Sequence, residues 1–214
     1  MTPTHHPSDA LLLAYAAGTA SEAEALAMST HLTFCPECRA KLATAESVGG
    51  ALLDQIETAA LPPAALQSVL ARLEEPPARE RAPQPEAGTG LPQALAQYAA
   101  DALEQSGWRM LAPGIKQLAL HTAGGGRARL LKLKPGTVLP EHGHRGTELT
   151  ILLAGSYTDE LGRFQRGDMA ELDESVVHRP IVDDGPECVA LIVTEAPLKF
   201  RSWMARLAQP LIGI

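Results

Sequence analysis

The chain has 214 residues, of which 45% are hydrophobic and 20% are charged, the composition of an ordinary soluble globular protein. Its net charge of −7 argues against general nucleic-acid binding, which needs a basic face. The opening residues lack the pattern of a signal peptide, and no apolar run approaches the roughly 18 residues of a membrane span. Three cysteines are too few for a disulfide framework, so we expect a cytoplasmic protein without membrane contact.

Two short helices are predicted at the start of the chain. Ser8 is suited to cap the run DALLLAYAA, and Gly18 to end it. Ser21 and Glu24 form an S-x-x-E capping box that opens a second helix, EAEALAMSTHL. Residues 1–80 carry four basic and ten acidic side chains, which suits a basic protein partner, although a solvated surface is the commoner reason for such a bias.

Two further helices are predicted before residue 80. The third runs through PECRAKLATAESV, with Pro36 in its first turn and Gly49-Gly50 expected at its end. The fourth, PAALQSVLARLEE, is amphipathic, and its apolar stripe consists of Leu66, Val69, Leu70 and Leu73. Helices this short make a thin core, so we expect something else to help hold them together.

The turn between the second and third helices carries a metal-binding pattern, His31-x3-Cys35-x2-Cys38. A Cys-x2-Cys pair that crosses a turn into a helix N-terminus lets both sulfurs converge, and the helix dipole favours the thiolates. Tetrahedral zinc takes four such ligands, and the fourth candidate is His6, with the adjacent His5 as an alternative. Two other interpretations stay open: a pair of core cysteines, and a dithiol redox pair, whose usual βαβ context is missing.

The segment HHPSDALLLAYAAGTASEAEALAMSTHLTFCPECRAKL resembles the zinc-containing anti-sigma domain, in which a distant His precedes H-x3-C-x2-C. In that family the zinc-tied helices and a fourth helix wrap an extracytoplasmic-function (ECF) sigma factor and block it from core RNA polymerase. The fourth helix here would then present its apolar stripe to sigma, and packing on its own bundle is the alternative. The resemblance implies the zinc ligands His6, His31, Cys35 and Cys38.

A stretch rich in Pro, Gly and charge, EEPPARERAPQPEAGTG, predicts a linker after the helices. We expect a helical domain at 1–80, a linker at 81–91 and a second domain at 92–214. The second domain begins with a helix, PQALAQYAADAL, and continues as short apolar runs between turn residues, the pattern of a small antiparallel sandwich or barrel. The runs are KQLALHT, ARLLKLK, ELTILLAGSYT, DMAELD and CVALIVT.

A second cluster of metal-binding residue types lies in GTVLPEHGHRGTELTILLAG, which fits G-x5-H-x-H-x3-E-x6-G. His142 and His144 are two positions apart, so on a strand they face the same side, and Glu148 keeps the same parity. Gly136 and Gly155 flank the strands. Two imidazoles and a carboxylate that point into a barrel form a divalent-metal site.

This pattern resembles that of the cupin family, and GDMAELDESVVHRP supplies the second half. His178 stands eleven residues after Gly167, where the family's fourth metal ligand is expected. Asp173, Ser175 and Val182 replace the family's usual Pro, Gly and Asn, which affects the turn more than the ligand. We therefore predict an α+β multidomain protein, with a small all-α zinc-tied helical bundle followed by an all-β, jelly-roll-like cupin barrel.

The combination of the two domains resembles the ChrR group of zinc-binding anti-sigma factors over nearly the whole chain. It implies that the chain is not an enzyme and that its N-terminal domain holds an ECF sigma factor in a 1:1 heterodimer. It also implies that the cupin domain is needed to release sigma under singlet oxygen or organic peroxide stress. A second zinc ion would then be bound by His142, His144, Glu148 and His178, although the metal of this site stays open.

Two other functions compete with this one. A metal-dependent cupin enzyme, a dioxygenase or isomerase with a regulatory zinc head, would turn over a small substrate with iron or manganese. A zinc-dependent nucleic-acid module ranks last because the first domain is acidic. Cys188 is more often a core residue than a redox sensor at such a place in a strand. In the prototype of the family that this chain resembles, a second cysteine follows two residues after the position of Cys188. Ala190 stands there in this chain, so a disulfide switch through that pair is excluded.

Overall fold

The computed structural model describes residues 2–74, 90–196 and 199–200, with helices first and strands after them. The helices are α1 (Asp9–Ala16), α2 (Glu22–Phe34), α3 (Pro36–Leu53), α4 (Ala65–Glu74) and α5 (Gln93–Gln105). Within this described part of the chain, no helix has the length and apolar character needed to cross a membrane. The linker at 81–91 falls largely outside the described residues, so the three domain boundaries stay a prediction.

The caps of the first two helices form as predicted. The hydroxyl of Ser8 accepts a hydrogen bond from the backbone N–H of Leu11 at 3.1 Å, and Ser21 and Glu24 complete the reciprocal capping box. These bonds satisfy first-turn amide groups that have no partner within the helix. Gly18 then separates α1 from α2, with a φ of 68° that favours glycine.

The predicted end of the third helix is wrong. α3 continues through Gly49 and Gly50 to Leu53, and Asp54 caps it. Glycine costs about 1 kcal/mol relative to alanine inside a helix, but unlike proline it keeps its hydrogen-bond donor, and strong helix formers follow. Of the residues in α3, Cys38 is the one that is fully buried, so most of this helix projects from the protein.

The strands form the predicted all-β, jelly-roll-like barrel, and the predicted fold class is confirmed. The strands are β1 (Arg109–Ala112), β2 (Ile115–Leu120), β3 (Arg127–Leu133), β4 (His142–Gly143), β5 (Glu148–Ala154), β6 (Ser156–Asp159), β7 (Gly162–Gln165), β8 (Met169–Leu172), β9 (Val177–His178), β10 (Ile181–Val182), β11 (Cys188–Thr194) and β12 (Lys199–Phe200). A six-stranded sheet has the order β1-β2-β3-β11-β5-β8, and two three-stranded sheets have the orders β10-β6-β7 and β12-β4-β9.

The central strands β3, β11 and β5 of the six-stranded sheet are buried on both faces. Alternate side chains of β3 illustrate this, because Leu130 packs with the helices while Leu131 and Leu133 belong to the barrel interior. Met28 of α2 and Leu95 of α5 lie in the same core cluster as Leu130. The helical bundle is therefore stabilised by the barrel, which is the additional support that its thin core requires.

Candidate metal centres

Four side chains converge beside the first three helices, and we call them the N-terminal cluster. His6 precedes α1, His31 lies in the last turn of α2, Cys35 caps α3, and Cys38 lies in the first turn of α3. Nδ1 of His6 is 3.4 Å from each sulfur, and Nε2 of His31 is 3.3 Å from the sulfur of Cys38. One ligand atom of each residue lies within 4.8 Å of those of the others.

The N-terminal cluster fits a tetrahedral zinc ion. Bonds of about 2.3 Å to sulfur and about 2.0 Å to nitrogen place neighbouring ligand atoms about 3.5 Å apart in a tetrahedron. The nitrogen–sulfur distances of 3.3 Å and 3.4 Å are close to that value. The local fold explains the convergence, because Cys35 ends α2 and caps α3, and so its thiol lies beside that of Cys38.

Burial favours the neutral forms of two of these side chains. It raises the pKa of the Cys38 thiol to about 12 and lowers the pKa of His31 to about 4. A neutral imidazole has a lone pair to offer, and the charge of a bound cation stabilises thiolates that burial alone would protonate. Nδ1 of His31 donates to the carbonyl oxygen of Gly167 at 2.9 Å, which leaves Nε2 facing the sulfurs.

The structure places His6 in the N-terminal cluster and His5 outside it. The ring of His5 packs against Phe164 in a tilted arrangement, with a centroid distance of 4.1 Å. Nδ1 of His5 is 3.4 Å from the carboxylate of Asp168. Of the two adjacent histidines, His6 is therefore the one within reach of the sulfurs.

A second set of four side chains meets inside the barrel, and we call it the cupin cluster. His142 lies in β4, His144 between β4 and β5, Glu148 at the start of β5, and His178 in β9. His142 and His178 are partners in the antiparallel β4–β9 pair, and their Nε2 atoms are 3.1 Å apart. The ring centroid of His144 is 5.3 Å from those of the other two imidazoles. All four residues are buried, with one ligand atom from each within 4.8 Å of the others.

The cupin cluster contains ligand atoms that a divalent cation would satisfy. Neither ring nitrogen of His144 has a hydrogen-bond partner in the described part of the chain, although the ring is buried. Its Nδ1 is 3.5 Å from the carboxylate of Glu148, at the outer limit of a hydrogen bond. Native proteins rarely leave buried polar atoms without partners, so the residues present fit a cation that binds between them.

The charges around the cupin cluster also suit a cation. Burial lowers the pKa of His142, which keeps its imidazole neutral and available as a ligand. Burial by itself would raise the pKa of Glu148, but the three neighbouring histidines, and His144 most of all, lower it below its ordinary value. Imidazole nitrogens and a carboxylate form a donor set that zinc, iron or manganese can use.

Two groups outside the predicted set orient the rings of the cupin cluster. Nδ1 of His142 donates to the carbonyl oxygen of Pro140 at 2.8 Å, and Nδ1 of His178 donates to the carboxylate of Asp159 at 2.8 Å. Each bond directs Nε2 of its ring toward the centre of the cupin cluster. Sequence reasoning missed Asp159, because its one signal is that it directly follows the apolar run ELTILLAGSYT, which begins at Glu148.

A cavity of about 70 Å³ adjoins the cupin cluster inside the barrel. Its wall is mostly apolar but includes Arg129, Thr150, Tyr157 and Thr194. A space of this size holds several water molecules or a small ligand. The cupin cluster can therefore form a closed structural site, or one that a small molecule can approach.

The apolar side chains of α4 are open to solvent, and we call them the exposed stripe. Their relative exposures are 64% for Leu66, 56% for Val69, 50% for Leu70 and 74% for Leu73. The last residues of α3 are apolar and exposed as well. Contiguous exposed apolar surface marks an interaction site.

The fold and the two clusters define a zinc-finger-like helical domain joined to a cupin barrel, and comparison with known families agrees. Residues 8–39 match the family described as a putative zinc-finger. Residues 97–197 match the ChrR cupin-like domain family.

Comparison of the whole chain identifies a specific family. The chain is 44% identical over 214 residues, 100% of both sequences, to the anti-sigma-E factor ChrR of Cereibacter sphaeroides. The chain therefore belongs to the ChrR family of anti-sigma factors. It is also similar to a chain in the crystal structure of Rhodobacter sphaeroides SigE in complex with the anti-sigma ChrR, with 44% identity, a TM-score of 0.76, and coverage of 90% of this chain and 99% of that one. The structure of an RmlC-like cupin protein from Ralstonia eutropha aligns with 45% of this chain and covers 68% of that protein's chain. The identity is 20% and the TM-score is 0.40.

Proposed function

We propose that this protein binds an ECF sigma factor through its N-terminal domain, in a 1:1 complex in the cytoplasm, and keeps it from core RNA polymerase. The exposed stripe of α4 carries the proposal. An amphipathic helix with this apolar pattern buries its face in a groove of another protein. The solved complex of SigE with the relative ChrR supports the choice of partner. The acidic bias of residues 1–80 suits basic surfaces on the partner and favours fast association.

The N-terminal cluster gives this domain its proposed metal dependence. His6, His31, Cys35 and Cys38 would hold one zinc ion and tie the start of the chain to α2 and α3. Zinc bound in this way contributes its binding free energy to folding. The orientation of α3, and of the α4 segment beyond it, then depends on an occupied N-terminal cluster.

The cupin domain is proposed to control release of sigma under singlet oxygen or organic peroxide. His142, His144, Glu148 and His178 would hold a second metal ion, which the family resemblance suggests is zinc. The adjoining cavity has room for a small oxidant beside this site. Proteins in which both His142 and His144 are replaced by alanine should therefore retain sigma under oxidant. Normal release by this double variant would contradict the sensing role.

Co-purification of the full chain with an ECF sigma factor tests the binding proposal. We expect the wild-type chain to capture sigma, and we expect His31→Ala and Cys35→Ala to lose most of that capture. Cys188→Ala is the matched control, because Cys188 is a buried cysteine that lies in the barrel strand β11. Failure of the wild-type chain to capture sigma would contradict the proposal.

A metal-dependent cupin enzyme is the second candidate function, and the cavity beside the cupin cluster favours it. Arg129 is buried in the wall of that cavity, where a cation can help to bind a small anionic substrate. Turnover of a small molecule by protein loaded with iron or manganese would support this alternative. Capture of sigma without such turnover would support the anti-sigma function alone.

A further inference from the structure

The first residues of the chain bind to the corner between β7 and β8 of the barrel. The backbone N–H groups of Thr4 and His5 donate to Oδ1 of Asp168 at 2.6 Å and 3.1 Å. The N–H of Met169 in turn donates to the carbonyl oxygen of His5 at 3.1 Å. His6 follows His5 directly in the chain. These bonds therefore fix the backbone beside one of the four side chains of the N-terminal cluster.

Asp168 accepts hydrogen bonds both from the barrel and from the N-terminal segment. Its side chain is fully buried, and its second oxygen accepts from the backbone N–H of Gln165 at 2.8 Å. Burial alone would raise the pKa of Asp168, but the donors of Gln165, Thr4 and His5 lower it below its ordinary value. The carboxylate thus links the barrel's own turn to the N-terminal segment.

The neighbouring residue, Gly167, contacts the N-terminal cluster directly. Its carbonyl oxygen accepts the hydrogen bond from Nδ1 of His31 at 2.9 Å. A side chain at this position would come within 2.9 Å of Pro3 and 3.0 Å of Phe34, and the φ of 93° also favours glycine. Glycine therefore lets the barrel backbone approach α2 closely enough to hold the His31 ring.

The same corner is hydrogen-bonded to the strand that carries a member of the cupin cluster. The N–H of Gly167 donates to the carbonyl oxygen of Leu152 at 2.8 Å, and the N–H of Leu152 donates to that of Asp168 at 3.1 Å. Leu152 lies in β5, which begins at Glu148. One continuous strand thus runs from the cupin cluster to the support of the N-terminal cluster.

We propose that Gly167 and Asp168 are positioning residues of the N-terminal metal site, so that docking of the cupin barrel determines how tightly this site holds its ion. The inference rests on the proposed binding of metal by the N-terminal cluster. Gly167 fixes the ring of His31, and Asp168 fixes the segment that leads into His6. Because such coupling is reciprocal, a change at the cupin cluster that shifts the corner weakens metal binding at the N-terminal cluster, and metal loss loosens docking.

Cobalt loading of the full chain tests this positioning role. Thiolate-to-cobalt charge-transfer absorption reports on the N-terminal cluster alone, because the cupin cluster has no sulfur ligand. After addition of excess EDTA, we expect this absorption to disappear about tenfold faster in Asp168→Asn than in wild type, the size of effect that loss of a ligand-orienting partner has. Both oxygens of Asp168 accept from backbone N–H groups, whereas an asparagine amide has one oxygen and one NH2 group. In either orientation, the NH2 group therefore faces a backbone N–H group and one hydrogen bond is lost.

Asp183→Asn is the matched control. Asp183 accepts side-chain hydrogen bonds from Ser156, Thr158 and Arg163, all of them barrel residues. We expect this variant to lose cobalt at the wild-type rate. Equal acceleration in both variants would assign the effect to a weakened barrel and would overturn the proposal.

Three other outcomes are also decisive. A wild-type rate in a folded Asp168→Asn protein would overturn the positioning role while leaving the metal site intact. A wild-type chain without the charge-transfer band would remove the metal site and the inference with it. If Asp168→Asn does not fold, Glu171→Ala decides, because exposed Glu171 accepts from the N–H and hydroxyl of Ser8 at 2.6 Å and 2.9 Å, and alanine removes both acceptors. We expect about threefold faster loss in that variant, and an unchanged rate would overturn the proposal. The assay contains no sigma factor, so its result is independent of sigma binding.

Discussion

The carboxylate of Asp159 accepts a hydrogen bond of 2.8 Å from Nδ1 of His178, and both side chains are buried. The bond fixes which ring nitrogen carries the proton and turns Nε2 toward the cupin cluster. Asp159→Asn should weaken binding of Mn²⁺ to this cluster by about tenfold, because outer-shell carboxylates orient metal-binding imidazoles. Mn²⁺ disfavours thiolates, so a titration followed by electron paramagnetic resonance reports on the cupin cluster.

Asp173→Asn serves as the control for that measurement. Asp173 lies near the cupin cluster but accepts its hydrogen bonds from the exposed Ser175. We expect this variant to bind Mn²⁺ as the wild-type protein does. Equal Mn²⁺ affinity in wild type and Asp159→Asn would show that the carboxylate is dispensable to the cluster.

Leu70→Asp should abolish tight sigma binding without unfolding the protein. Leu70 lies in the middle of the exposed stripe and is 50% exposed, so the substitution costs the free chain at most about 0.5 kcal/mol of stability. A charge in the centre of an apolar interface should lower the affinity for sigma by at least about 30-fold. Ser68→Asp adds the same charge on the opposite side of α4 and should bind normally by calorimetry. Loss of binding in both variants would indicate a nonspecific charge effect.

Gly155→Ala should destabilise the barrel by about 3 kcal/mol. Gly155 has a φ of 69°, and an added Cβ would lie 2.7 Å from the Cα of Cys188, which cannot move without shifting β11. Gly136→Ala is the comparison, because φ there is 73° but nothing lies within 4 Å of the added atom. Its cost should be about 1 kcal/mol, from the backbone conformation alone. Urea denaturation of both proteins measures the difference, and equal costs would contradict the role of close packing.

Cys188 should resist alkylation while the protein is folded. The thiol is fully buried in β11, and burial raises its pKa to about 12, so the reactive thiolate is scarce at pH 8. We expect mass spectrometry to find iodoacetamide on Cys188 only after denaturation. Rapid labelling of the native chain would instead support the redox-sensor interpretation.

The sequence predicts the parts of both clusters that depend on local spacing. The interval between His31 and Cys38 corresponds to one turn between two helices. His142 and His144 are two residues apart, the spacing at which side chains of an extended chain face the same side. By contrast, the end of α3 follows from the tolerance of helices for glycine, which spacing does not reveal. Asp159 and Gly167 support ligands that are 19 and 136 residues away in the chain. Their roles depend on long-range packing, for which a single sequence contains no pattern.

Met28 of α2, Leu95 of α5 and Leu130 of β3 lie in one continuous apolar cluster. Side chains that share one interior gain their stabilisation together and lose it together. Heating the protein should therefore produce a single calorimetric peak rather than separate melting of a zinc-finger module and a cupin module. In thermodynamic terms the two modules form one cooperative unit, and a change that destabilises either module lowers the free energy of unfolding of the whole unit.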